Sequence, residues 1–229
     1  MSDDRRPLIV ADGLTKSLSS GEVVQQVLRG VSLEIERGSF SAVVGPSGCG
    51  KTTFLSLLAG LDVADGGRLT VDGLELRGLS SAKMDAYRRD KVGIVLQFYS
   101  LLPSLNALEN VETSLEFLPL TAAQRTARAR DYLDRVGLAD AAAKFPAQLS
   151  GGMQQRVAVA LALAREPALL LADEPTGALD QESGLQVFEC LRALQASTGV
   201  TCVLVTHDPL LAAKTQRTIR FEDGRVKEA

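Results

Sequence analysis

Residues 45–52 contain the residue types that a phosphate-binding loop requires. Glycines let backbone N–H groups converge on phosphate oxygens, Lys51 can reach the β and γ phosphates, and the Thr52 hydroxyl can coordinate Mg²⁺. The apolar run 40–44 precedes this loop and an amphipathic segment follows it, which predicts a strand, a loop and a helix that bind a nucleoside triphosphate. The predicted nucleotide contacts are Gly45, Pro46, Ser47, Gly48, Cys49, Gly50, Lys51, Thr52 and Thr53.

Three further apolar segments are predicted strands that lead into polar residues. In an open parallel sheet, ligands bind beyond the carboxyl ends of the strands, so we expect these polar residues to lie near the phosphate loop. A single Gln or His after a strand is often an ordinary surface residue, but joint placement at one edge favours function. The segments are 92–96, 168–172 and 201–205, and the polar residues are Gln97, Asp173 with Glu174, and His207.

These side chains suit separate parts of triphosphate hydrolysis. Asp173 is expected to hold Mg²⁺ together with Thr52. Glu174 is the predicted general base, which orients and deprotonates the attacking water. We expect His207 to contact the γ-phosphate and that water, and Gln97 to carry the state of the nucleotide to the rest of the chain.

A second anion site is predicted where Ser150, Gly151 and Gly152 open a helix that runs to Arg165. Ser150 is a plausible N-cap, and the glycines leave backbone N–H groups unobstructed. Taken alone, this is a capped helix start. Because the chain has one such helix end and one phosphate loop, we infer that two chains face each other and each supplies this end to the other's triphosphate.

Composition excludes several functional classes. The chain has 229 residues, a formal charge of −3 and 45% apolar residues, which predicts one globular domain without the basic face that nucleic-acid binding needs. Three cysteines without CxxC spacing argue against a disulfide framework or a metal cluster and indicate a reducing compartment. Residues 1–7 lack a signal core, and the longest apolar run, 157–164, is shorter than the roughly 18 residues of a membrane span, so we expect no direct membrane insertion.

The remaining pattern predicts an α/β chain with an insertion. Short strands such as 8–10 and 31–35 suggest an antiparallel sheet near the start, and 68–71 is a further strand. Residues 104–145 have helical spacing, so we expect a helical insertion between two halves of one core. The segment 218–226 turns at an Asp-Gly pair and predicts a hairpin.

With these motifs in view, the chain resembles the ATP-binding subunits of ABC transporters over essentially its whole length. Segments 97–103, 107–111 and 171–180 are most similar to the group that contains MacB, LolD and FtsE. The motifs, in the order of that family, are Walker A at 45–52, the Q-loop Gln97, the LSGG signature at 149–152, Walker B ending at Asp173, Glu174, the D-loop 178–180 and the switch His207.

The resemblance implies a P-loop NTPase (RecA-like) core formed by 1–97 and 157–229, with an N-terminal antiparallel β subdomain and an inserted α-helical subdomain at 98–156. It implies ATP and Mg²⁺ as ligands, a dimer of two copies closed on two ATP molecules, and integral membrane permease subunits as partners. The chain would be cytoplasmic and peripheral at the inner face of the cell membrane, with no nucleic acid as partner.

The resemblance also extends the list of site residues. Gln97 joins Thr52 and Asp173 as a Mg²⁺ ligand, and Lys51 and Gln97 join Glu174 and His207 in the catalytic set. The D-loop adds Asp180 to the nucleotide contacts. Where relatives carry an aromatic residue that stacks on adenine, this chain has Leu18, so base stacking is expected to be weaker.

Two other classes were weighed. A soluble ABC ATPase could serve iron–sulfur assembly or DNA repair, but repair members carry coiled-coil or zinc insertions, and here only about 120 residues without heptads or cysteine pairs separate Lys51 from Asp173. A nucleotide-binding module with little hydrolysis would not need both Glu174 and His207.

Overall fold

The computed structural model describes residues 6–20 and 23–227, so most of the N-terminal segment 1–7 lies outside the described residues. In these two ranges, no helix is both long and apolar enough to cross a bilayer. Their strands are β1 Pro7–Ser20, β2 Val23–Glu36, β3 Phe40–Val44, β4 Gly66–Val71, β5 Leu74–Glu75, β6 Val92–Val95, β7 Leu169–Asp173, β8 Thr201–Val205, β9 Arg217–Glu222 and β10 Arg225–Lys227. Their α-helices are α1 Lys51–Leu58, α2 Ser81–Lys91, α3 Ala107–Leu115, α4 Ala122–Arg135, α5 Gly151–Leu163, α6 Gln181–Thr198 and α7 Pro209–Ala212.

The strands form two sheets. The larger sheet has the order β10-β9-β3-β8-β7-β6, in which β9, β3, β8, β7 and β6 run parallel and β10 pairs antiparallel with β9. The smaller sheet is antiparallel, with the order β2-β1-β4-β5. The predicted α/β P-loop fold with an antiparallel N-terminal sheet is confirmed.

Both faces of the larger sheet are buried. In β7, Leu169 and Leu171 pack into one hydrophobic cluster, and Leu170 and Ala172 pack into another. This alternation follows from the period of two along a strand. The first cluster contains α1, α2 and the inner face of the small sheet, and the second contains α3 to α6. The central strands are therefore fixed from both sides, as in other α/β layers.

The first two strands are much longer than predicted. The short strands expected at 8–10 and 31–35 are parts of β1 and β2, which have 14 residues each. The pair Asp12 and Gly13 reads as a turn, but the structure accommodates it as a register shift between Ala11 and Leu14. A bulge lets the pairing of β1 with β2 continue past two residues that are typical of a turn.

The predicted helical insertion lies between β6 and β7. The helix α3 begins with a capping box formed by Asn106 and Glu109, and α4 begins with one formed by Thr121 and Gln124. Such reciprocal bonds satisfy N–H groups that a helix start leaves open. The buried side chains of these helices belong to the same cluster as α5 and the sheet.

Two long helices, α2 and α6, have no counterpart among the predicted elements. The helix α2 is rich in charged residues and buries only Met84 and Tyr87, so its apolar stripe is weak. The helix α6 is introduced by Asp180, whose side chain accepts a hydrogen bond from the Ser183 backbone. It packs against α5 and holds the start of that helix in place.

An ion-pair cluster joins the turn between β4 and β5 to the end of α2 and to the residue after β2. Asp72 accepts hydrogen bonds from Lys91 at the end of α2, at 2.7 Å, and from Arg37 just after β2. Burial alone would raise the pKa of the Asp72 carboxyl, but the hydrogen bonds and charges of Lys91 and Arg37 outweigh burial and lower it. The ionised carboxylate therefore stabilises the fold.

We expect Asp72→Asn to lower the free energy of unfolding by about 1 kcal/mol at pH 7, since it breaks a partly exposed pair of salt bridges. Asn tolerates the positive φ of 50° at this position. Because the folded pKa is depressed, the difference should be full above the unfolded pKa of about 4 and vanish as pH falls through the folded value. Urea unfolding between pH 3 and 7 measures this. Asp140→Asn is the control, since Asp140 is exposed and in no ion pair among the described residues; an equal loss in both variants would contradict the assignment.

Candidate functional site

The phosphate loop connects β3 to α1 and is closely walled by backbone. A Cβ on Gly45 would lie 2.2 Å from the Phe221 carbonyl oxygen and 2.8 Å from Cys49 Sγ. Gly50 has φ of 107°, and a Cβ there would lie 2.7 Å from Leu28 Cδ2. Only glycine fits at these two positions, so the loop can follow a path that places its N–H groups together.

Lys51 is 9% exposed and lies beside the start of the loop. Its Nζ donates hydrogen bonds to the carbonyl oxygens of Gly45, at 2.7 Å, and Pro46, at 2.8 Å. Cys49 Sγ is 3.9 Å from the same ammonium and is buried, so the thiol fills space within the loop. The ammonium is thus the positive charge next to the loop amides, where phosphate oxygens would meet both.

Asp173 and Thr52 come together as predicted. The Thr52 side chain lies close enough to the Asp173 carboxylate, at the end of β7, to act on its pKa. Burial raises the pKa of Asp173, and the charge of Glu174 adds to this, while Lys51 and the Thr52 hydrogen bond oppose it. A cation at this carboxylate would relieve both the burial and the repulsion from Glu174.

The donor set fits Mg²⁺ bound together with phosphate. Hydroxyl and carboxylate oxygens are hard ligands of the kind that Mg²⁺ prefers, and protein sites for Mg²⁺ often use one or two side chains plus substrate phosphates. Within residues 6–20 and 23–227, no group of three or more His, Cys, Asp or Glu side chains could hold a metal ion without such help. Thr52 and Asp173 therefore suit a metal that arrives with the nucleotide.

Glu174 and His207 form a direct pair across neighbouring strand ends. His207 Nδ1 lies 2.7 Å from Glu174 Oε2, and the Glu174 N–H donates to the Val205 carbonyl at 3.0 Å. Glu174 also has φ of 47°, which is uncommon for this residue type and found often at functional sites. The side chain of Glu174 is 21% exposed and that of His207 is 73% exposed. The carboxylate is thus held in one direction while remaining accessible to water.

Gln97 follows β6, and its side chain contacts the segment that comes directly after Glu174. A Cβ on Gly177 would lie 3.0 Å from Gln97 Nε2, so the two residues are in contact. The Gly177 N–H donates to the Glu174 carbonyl at 3.0 Å. Gln97 is therefore one contact away from the predicted general base, in agreement with its expected place at the sheet edge.

The start of α5 is the predicted capped helix end. Ser150 Oγ accepts a hydrogen bond from the Met153 N–H at 3.3 Å. A Cβ on Gly151 would lie 2.6 Å from the Tyr99 hydroxyl and 3.0 Å from Leu179, and one on Gly152 would lie 3.2 Å from Ser183 Cβ. These contacts go to the segments after Gln97 and Glu174 rather than to the phosphate loop of the same chain.

Two expected nucleotide contacts lie on the protein surface. Leu18, in β1, is 45% exposed and pairs with Gln25 in β2. Further along β2, Val27 and Leu28 contact Gly50, so the same pair of strands overhangs the loop. Asp180 is exposed, and hydrogen bonds, first of all from the Ser183 backbone, lower its pKa. Its charge is held at the start of α6 and faces away from the core.

Sequence reasoning missed Gln155. This side chain is fully buried in α5, and its Nε2 donates to the Leu96 carbonyl at 2.9 Å. The bond joins the helix that begins with Ser150 to the residue before Gln97. Gln155 stands between the polar residues Gln154 and Arg156, so the sequence contains no signal that marks it as a buried amide with a hydrogen-bond partner.

Comparison with known proteins gives the same result as this geometry. The family model described as "ABC transporter" matches residues 28–177. The lipoprotein-releasing system ATP-binding protein LolD of Roseobacter denitrificans is 44% identical over 97% of this chain and 98% of LolD. The macrolide export ATP-binding/permease protein MacB 1/2 of Paracoccus denitrificans is 44% identical over 99% of this chain, which spans only 34% of that protein.

Solved structures agree with the sequence relatives. The ATP-binding cassette MJ0796, in a dimeric post-hydrolysis state bound to ADP and Pi, has a TM-score of 0.86 and 38% identity over 96% of this chain and 97% of the cassette. A second dimeric structure of MJ0796, described as a bacterial ABC transporter cassette, has a TM-score of 0.87 and 40% identity. These names favour the transport reading over an iron–sulfur or repair ATPase. By its matched motifs, its fold and its site, the chain belongs to the ABC transporter family, as one of its ATP-hydrolysing ATP-binding cassettes.

Proposed function

We propose that this chain, as an ATP-binding cassette of the LolD or MacB type, hydrolyses MgATP between two copies of itself and thereby drives a membrane permease. The observation that carries the proposal is the convergence of the phosphate loop, the Thr52–Asp173 pair and the Glu174–His207 pair at one sheet edge. The names of the relatives support a role in lipoprotein release or macrolide export. The chemistry of ATP hydrolysis is supported by residues of this chain, whereas the transported molecule would contact the permease.

Glu174 would act as the general base. Its carboxylate is held by His207, and the bond from its backbone N–H to the Val205 carbonyl fixes its main chain, so little reorganisation is needed to orient a water molecule. His207 is the more exposed partner and can meet the γ-phosphate directly. Thr52, Asp173 and Gln97 would hold Mg²⁺, which when bound neutralises charge on the phosphate oxygens.

Two copies would complete each site. At the start of α5, Ser150 is exposed and Gly151 is partly exposed, whereas Gly152 is buried, so a ligand could reach the helix at its first residue. A helix N-terminus attracts anions. The neighbours of Gly151 and Gly152 do not include the phosphate loop of the same chain, so this helix end is free to serve another chain's nucleotide. The dimers of MJ0796, one of them with ADP and Pi, support this arrangement.

The helical segment 98–156 would be the part that moves with the permease. It adjoins the nucleotide site directly after Gln97, and a Cβ on its Gly151 would lie 3.0 Å from Leu179, in the segment that follows Glu174. A permease partner would place the cassette at the inner face of the cell membrane, without insertion of this chain. The formal charge of −3 supports protein partners rather than nucleic acid.

We expect Glu174→Gln to lower kcat for MgATP by about 10²- to 10⁴-fold, because the amide cannot accept the proton of the attacking water. ATP binding should persist, so the variant should accumulate as an ATP-bound dimer, which size-exclusion chromatography with light scattering detects. Glu116→Gln, an exposed change at the end of α3, is the matched control and should behave as wild type. Unchanged hydrolysis in Glu174→Gln would contradict the assignment of the base.

We expect Leu18→Tyr to tighten ATP binding by roughly two- to tenfold, because a stacked aromatic ring contributes about 0.5 to 1.5 kcal/mol beyond its buried area. The control is Ser19→Tyr, since successive side chains of a strand point to opposite faces and Ser19 is also exposed. Titration calorimetry with ATP and with MgATP measures both variants. An equal gain at Ser19, or no gain at Leu18, would remove Leu18 from the base site.

A further inference from the structure

The turn between β9 and β10 makes a contact that the motifs do not explain. Its second residue, Gly224, donates its N–H to the Cys49 carbonyl in the phosphate loop at 3.2 Å and accepts a hydrogen bond from the Arg29 N–H in β2 at 2.8 Å. One residue near the end of the chain therefore joins the loop to the strand that overhangs it.

The same two elements form the walls of the loop. The carbonyl of Phe221, at the end of β9, faces Gly45 at the start of the loop, and the carbonyl of Val27, in β2, lies 3.1 Å from a Cβ position on Gly50 at its end. Gly224 connects the two elements, because the turn after β9 is hydrogen-bonded through it to β2. Any shift of the turn would change the width of the space in which the loop is held.

The bond to Cys49 also sets the direction of a loop peptide. The peptide unit between Cys49 and Gly50 is planar and trans, as in the described chain as a whole, so its C=O and N–H point in opposite directions. With the carbonyl directed to Gly224, the Gly50 N–H is directed away from the turn. Loop N–H groups directed to a common side are the feature that binds phosphate.

We propose that Gly224 is a positioning residue for nucleotide binding, which fixes the spacing of the phosphate-loop amides by joining Cys49 to β2. This rests on the proposed binding of MgATP by the loop. Glycine is required because φ is 74° and a Cβ would lie 2.3 Å from the Val27 carbonyl oxygen. A residue larger than glycine must displace the turn from β2, and this displacement would distort the hydrogen bond to Cys49.

The chain contains a matched control for this position. Asp72–Gly73 is a second Asp-Gly turn, and its φ values of 50° and 76° are close to the 47° and 74° of Asp223–Gly224. A Cβ on Gly73 would meet no heavy atom within 4 Å. Replacement of either glycine by Ala therefore costs similar backbone strain, but only Gly224→Ala disturbs a contact with the loop.

The experiment compares purified wild type, Gly224→Ala and Gly73→Ala by steady-state ATP hydrolysis, by calorimetric titration with MgATP and by thermal unfolding. For Gly224→Ala we expect KM and Kd for MgATP to rise at least about fivefold with kcat within about twofold of wild type, since a misplaced loop loses binding common to substrate and transition state. Gly73→Ala should keep wild-type KM although its melting temperature also falls.

An equal KM in wild type and Gly224→Ala, or an equal rise in both variants, overturns the proposal. If Gly224→Ala does not fold, Gly224→Asn against Gly73→Asn replaces it, because Asn adopts positive φ more readily while its Cβ still meets Val27. Failure of the Asn variant to fold overturns the proposal too and assigns the turn to folding. A wild type that binds no MgATP overturns the proposed function, whereas tight binding by both wild type and Gly224→Ala overturns this inference alone.

Discussion

The site depends on one constraint: four parallel strands must end at the same edge of a sheet that is covered on both faces. Because β3, β8, β7 and β6 are parallel neighbours, the residues that follow these strands lie close together at one edge of the sheet. Alternate side chains of these strands enter two separate hydrophobic clusters, so a slip by one residue would exchange the clusters. Burial thus fixes the register, and the register fixes the geometry of the candidate site.

Charge at this edge is unfavourable in the protein alone. Asp173 and Glu174 are adjacent carboxylates on a partly buried strand end, and burial together with Glu174 raises the pKa of Asp173. Lys51 and Thr52 offset only part of this. A site that holds excess negative charge beside a loop of N–H groups is suited to a ligand that brings both a cation and phosphates.

Local sequence predicted which residues lie together at the sheet edge, but it did not predict the bounds of several elements around them. The sequence indicates the loop at 45–52 and the polar residues after three apolar runs. A parallel sheet brings the ends of its strands to one edge, so these residues could be placed together from the sequence alone. The length of β1 was not readable, because Asp12 and Gly13 form a bulge that has the composition of a turn. Nor was α2, where polar residues dominate and burial of Tyr87 depends on contacts with a distant helix, through its bond to the Leu58 carbonyl.

Contacts between segments that are far apart along the chain were also beyond sequence reasoning. The spacing of residues along the chain contains no sign that Gln155 binds the Leu96 carbonyl or that the β9–β10 turn touches Cys49. Such bonds form only after the sheet has brought the segments together. These hydrogen bonds join separate elements of the fold. Gln155, for example, connects the start of α5 to the end of the strand before Gln97. Because a buried amide without a partner is costly, Gln155 favours the position of α5 in which its bond to Leu96, next to Gln97, is kept.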